Sequence, residues 1–130
     1  MSRSGYSDEC ENLAMWRGVV ASATRGKRGQ AFFRALVEAL DAMPQKRLIA
    51  KKFQTANGDV CAIGALGRHQ NVRMDDLDPE DGDRVGERFN IARHLALEVV
   101  YMNHEAAWYV ESPESRWCRM RAWASSNITK

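Results

Sequence analysis

Between Gln30 and Pro44 the chain reads Gln-Ala-Phe-Phe-Arg-Ala-Leu-Val-Glu-Ala-Leu-Asp-Ala-Met-Pro, and no other stretch restricts the fold as much. Phe32, Phe33, Leu36, Val37, Leu40 and Met43 recur at steps of three and four. That spacing winds them into one broad apolar stripe of an α-helix, which Pro44 ends. Such a stripe is stable only when other elements cover it, and the rest of the chain supplies candidates in the same period.

Upstream, Ser7 or Asp8 is placed to cap a first helix, with Glu9 and Glu11 in its opening turn and Cys10, Leu13, Trp16 and Val20 on one face. Residues 1–7 form a polar lead with no apolar patterning. The glycines of Arg25-Gly26-Lys27-Arg28-Gly29 break the period before the second helix. Further on, Ala62 to His69 reads as a short helix whose glycines mark a close approach. Asp78-Pro79-Glu80-Asp81 has the cap, proline and acid of a helix start, followed by Val85 and Phe89. After Asn90-Ile91, the residues Ala92, Leu95, Ala96, Val99 and Met102 form another inward face. Ser112-Pro113-Glu114 opens a last helix carrying Trp117, Met120, Ala124 and Ile128. Thr55-Ala56-Asn57-Gly58 separates Arg47–Phe53 from Asp59–Ile63 with an Asn-Gly pair, the signal of a tight hairpin. The expected fold class is mainly α: a compact helical domain of about five helices, with a minor β-hairpin near residues 47–63.

Composition agrees with one globular domain over residues 1–130, with 45% hydrophobic and 28% charged residues and neither repeats nor low-complexity tracts. No apolar run reaches the roughly 20 residues of a membrane span, and no apolar segment follows the N-terminus as in a secretion signal. Cys10, Cys61 and Cys118 are odd in number and widely spaced, which suits reduced cytosolic thiols better than a disulfide framework. The net charge of +2 conceals an asymmetry. Residues 1–52 carry 10 Lys/Arg against 5 Asp/Glu, residues 53–111 carry 5 against 11, and residues 112–130 carry 4 against 1. Basic ends around an acidic middle either attract an anionic partner to one face or attract each other within the fold.

Several stretches have the residue types that chemistry requires. Cys61, at the end of an extended segment just before a helix, could have its thiolate stabilised by the helix N-terminus. With Asn103 and His104 it would complete the residue types of a cysteine hydrolase, although a cysteine between Val60 and Ala62 equally suits a small buried position. Residues 82–99 fit a helix-turn-helix, with Gly86 small at the crossing, Asn90 in the turn, and Arg93, His94, Leu97 and Glu98 directed at a major groove. The acids from Asp75 to Asp83 oppose phosphate contact there. Those acids do not make a calcium loop either, because Asp81 stands where an EF-hand requires glycine and Pro79 stiffens the stretch. The cysteines and histidines show no zinc spacing, so neither a metal nor another cofactor is expected. Arg25, Lys27 and Arg28 at the start of the second helix could hold an anion. Arg116, Arg119 and Arg121 with Trp117 and Trp123 give the last helix the residues favoured at protein interfaces and on nucleic-acid backbones.

Two segments, Gly58-Asp59-Val60-Cys61-Ala62-Ile63-Gly64-Ala65-Leu66 and Ser112-Pro113-Glu114-Ser115-Arg116-Trp117-Cys118-Arg119-Met120-Arg121-Ala122-Trp123, resemble ones found together in small uncharacterised proteins of bacteria and their phages. Between them those proteins tend to carry Asn-Asp, where this chain has Asn103-His104. The resemblance covers most of residues 30–128 and implies a phage or prophage setting, in which small proteins often block a host factor such as a CRISPR–Cas complex. The function expected is therefore a non-enzymatic protein that occludes a host protein or nucleoprotein complex through Arg25, Lys27, Arg28, Arg116, Arg119, Arg121 and Trp123. The alternatives are a DNA-binding regulator that uses Arg93 and His94, and an enzyme that uses Cys61. No membrane partner is expected.

Overall fold

A computed structural model describes residues 13–106 and 110–129. The expected cap at Ser7 or Asp8, and Cys10, lie outside them. Six helices form among the described residues: α1 (Leu13–Arg25), α2 (Lys27–Ala42), α3 (Ala62–Gln70), α4 (Gly82–Phe89), α5 (Arg93–His104) and α6 (Pro113–Ser126).

The stripe on α2 organises them. Phe33, Leu36 and Leu40 are fully buried, and α2 packs on α1, α3 and α6. On the other side α5 packs on α1, α3, α4 and α6, so that α1, α3 and α6 each touch both α2 and α5. α3 lies deepest, with Ala62 to Gly67 buried. Its glycines answer to close approaches: a β-carbon on Gly64 would collide with the Phe53 carbonyl, and one on Gly67 would stand 2.5 Å from Met74 Sδ.

The basic turn expected between the first two helices is a single residue, Gly26, with helix on both sides. Two features make so tight a corner possible. Gly29 lets α2 approach the end of α1, where a β-carbon would lie 2.8 Å from the Thr24 carbonyl oxygen. Gln30, 7% exposed, donates to Thr24 O at 2.8 Å and to Asn127 O at 2.9 Å, and accepts from Thr129 N at 2.8 Å.

The expected β-hairpin is not present, and no strand forms among the described residues. What remains is one antiparallel bridge, Gln54 to Val60, closed by the Thr55–Gly58 turn with Gly58 at φ 89°. Lys51 adopts a left-handed conformation (φ 72°) that bends the first leg away from a ladder. Leu48 N then pairs with Pro113 O, at the start of α6, rather than across the turn. The start of α4 also differs from expectation. Asp78 accepts from Glu80 N in a local turn, and Asp81, three residues on, caps the helix by accepting from Arg84 N. Pro79 suits the turn as well as a first helical position, so the motif alone leaves the register open. Ser112 caps α6 as expected, accepting from Ser115 N at 3.0 Å with Pro113 at the first position.

Candidate functional site

Cys61 is the N-cap of α3, and its Sγ accepts from Gly64 N at 3.4 Å. The adjoining amide, Ala62 N, donates to Asn103 Oδ1 at 3.0 Å, while Asn103 Nδ2 donates to Ile49 O at 2.8 Å. Cys61 and Asn103 therefore do converge, but on the backbone of a helix start. With Cys61 1% exposed, burial pushes its thiol up to about 12, the reverse of nucleophile activation. His104 Nε2 is buried and has no hydrogen-bond partner, so it does not serve Cys61 as a base. Burial, and then the neighbouring charge of Arg116, hold His104 down at about 4.

The α4–α5 corner forms as the sequence suggests. Asn90 is left-handed at φ 57°, and a β-carbon on Gly86 would stand 2.7 Å from the Ile91 carbonyl oxygen. Of the outward face expected of α5, Arg93 is exposed, whereas Leu97 turns inward and His94 and Glu98 are half-buried. Leu97 is 5% exposed and packs beneath Gly82. α1 lies across α5, with the ring of Trp16 4.8 Å from that of His94 and Trp16 Nε1 3.3 Å from Glu98 Oε1. Arg93 faces Asp83 across 3.4 Å. The acidic run upstream is largely consumed by local pairing. Asp76 takes both Arg88 and Arg84 at about 3 Å, and Asp75 takes Arg73. Hydrogen bonding from Arg88 lowers Asp76 to about 2. No cluster of metal-ligating side chains occurs among the described residues.

The two basic patches expected to bind a partner differ in availability. Arg119 grips Glu111 with two bonds, of 2.7 and 3.0 Å, and also donates to Met102 O. Arg116 donates to Leu48 O, and its Nε lies 3.3 Å from Glu111 Oε1 without a directed bond, so it adds charge to the cluster. The Glu111 side chain is 1% exposed. Arg121 forms a two-bond pair with Asp41 on α2. In contrast, Arg25, Lys27 and Arg28 are exposed. α2 and α6 run antiparallel, since Gln30 meets Asn127 while Asp41 meets Arg121. The patches thus sit at opposite ends of a helix pair roughly 20 Å long.

Among the described residues, every arginine except Arg17 and Arg25 has a hydrogen-bond or ionic partner. Both of these line one groove of about 390 Å³ between α1 and α6. Val20, Ala21 and Trp123 give its lining apolar surface, and Thr24, Ser126 and Asn127 add polar atoms. Trp123 is fixed edge-on against Phe33 at 5.3 Å. Glu98 also reaches the groove from α5. Of the groove residues, Arg25 and Trp123 were among those expected from the sequence to bind a partner, whereas Arg17 was not. Its signal was there in a second arginine eight positions before Arg25, flanking the apolar stripe of α1. No family model matches the chain, nor does any curated protein or solved structure.

Proposed function

We propose that this chain is a non-enzymatic binding protein that occludes a host macromolecule, in the phage or prophage setting that its two recurrent segments resemble. The observation that carries the reading is the gathering of Arg17 and Arg25, which alone among the described arginines have no partner within the fold, beside the fixed ring of Trp123 in one groove. An arginine left without an internal partner, next to an aromatic anchor, is the usual composition of an interface centre. Exposed Lys27 extends the surface around the α1–α2 corner. Arg116, Arg119 and Arg121 already have partners within the fold, so they support its shape more than its contacts. A host defence complex of the CRISPR–Cas kind is one target that fits this mode of action.

The test is affinity capture from bacterial host lysate, with and without nuclease, followed by mass spectrometry. A stoichiometric protein partner that survives nuclease supports occlusion. Material lost entirely on nuclease treatment would move the reading to nucleic-acid binding, and recovery of nothing from susceptible hosts would end it.

A further inference from the structure

We infer that the α1–α6 groove takes an extended acidic segment of a protein partner, seating one apolar side chain between two carboxylates that reach Arg17 and Arg25. The inference rests on the binding role proposed above and adds the chemistry of the ligand.

Spacing, lining and charge lead to it together. Arg17 and Arg25 are eight residues apart on α1, about 12 Å along the axis. An extended chain advances roughly 3.3–3.6 Å per residue, so two carboxylates three or four positions apart span that distance. Between the arginines the groove presents Val20, Ala21 and the Trp123 ring, which suit one aliphatic or aromatic side chain. Thr24, Ser126 and Asn127 add polar side chains to the lining, and with the Ser126 hydroxyl and Asn127 amide N–H donating to Trp123 O, their oxygens face a peptide backbone as acceptors.

Charge spacing decides between the polyanions. A nucleic-acid strand carries a charge at every nucleotide, and between the two arginines its phosphates would lie over Val20, Ala21 and Trp123, which offer no cation. A peptide can carry its two charges at the arginines and an uncharged residue between them. Charge complementarity is therefore met by the peptide and not by the strand.

Two probes test this: a displayed library of random peptides about a dozen residues long, and single-stranded oligothymidylate of similar length. Each is assayed on the wild-type chain and on Arg17→Glu and Arg25→Glu variants whose thermal melts match it. The expected result is enrichment of peptides with two acids three or four residues apart around a large apolar residue. Each charge reversal should then weaken them about tenfold or more. Enrichment without acids, or acidic peptides that bind both variants as well as wild type, would overturn the inference. Oligothymidylate bound in the groove and lost on charge reversal would overturn the peptide class and leave a binding protein standing. If neither probe binds, the ligand chemistry is wrong, while host-lysate capture still decides the wider role.

Discussion

At the scale of single residues, the two described cysteines behave oppositely. Cys61 is buried and its thiol is pushed up to about 12, whereas Cys118 is exposed on α6. Iodoacetamide at neutral pH is expected to label Cys118 in the folded protein and Cys61 only after denaturation, as read by peptide mass mapping. Labelling of Cys61 at the rate of a free thiol would show that the α3 cap opens. Asn103 has the more demanding structural role. It satisfies one buried donor, Ala62 N, and one acceptor, Ile49 O, across separations of 41 and 54 residues. Asn103→Ala leaves both unpaired and should cost about 3 kcal/mol, seen as a lower urea midpoint. An unchanged midpoint would mean that solvent reaches these groups.

At the scale of elements, Glu111 is the clearest case of a contact that decides structure. It lies just before α6 and, buried between Arg116 and Arg119, orients Arg119, whose guanidinium also donates to Met102 O near the end of α5. Glu111→Gln removes the charge but keeps the shape, leaving two cations facing each other at a buried site. A loss of about 3 kcal/mol is expected. Arg119→Ala should be at least as damaging, and a neutral result for both would reduce the cluster to a surface pair. The sequence showed Arg119 and Glu111 only as charges and assigned the arginine to a partner. Pairing between residues eight apart across a helix start carries no periodic signal, unlike the α2 stripe. The same limit explains the other elements. The Asn90 corner and the Ser112–Pro113 start were legible because their chemistry is confined to four residues. The hairpin was misread because Leu48 bonds to Pro113, a contact that no local turn residue announces. The groove lay half in view: Trp123 and Arg25 stood out, but nothing in the chain order brings α1 beside α6.

For the whole molecule, the charge asymmetry of the sequence largely resolves into short-range pairs. The acidic middle is met by Arg73, Arg84, Arg88 and Arg93 within it, and by Arg47, Arg116 and Arg119 from the basic ends. Stability should consequently depend on acid in two stages. His104 is held near 4 against an ordinary 6.5, so the unfolded chain binds its proton first as pH falls. Its contribution is whole above about 6.5 and fades towards 4. Glu111, lowered from 4.5, and Asp76, lowered from 3.8 to about 2, contribute fully above their unfolded values. Their share is lost below those values, as pH falls through the folded ones. Urea midpoints measured against pH should therefore begin to drop near 6.5, and His104→Gln should reduce the upper stage, the rest of which belongs to His94, also lowered by burial. An identical profile in that variant would place the early loss elsewhere.

Gln30 ties these scales together. One amide at the α1–α2 corner accepts from Thr129 N and donates to Asn127 O, so residues separated by almost the whole sequence share a fastener next to the groove. A reporter domain fused behind residue 129 would consequently load the fastener that joins the end of α6 to the α1–α2 corner. Its first effect is expected on stability, read as a lower urea midpoint than that of the untagged chain.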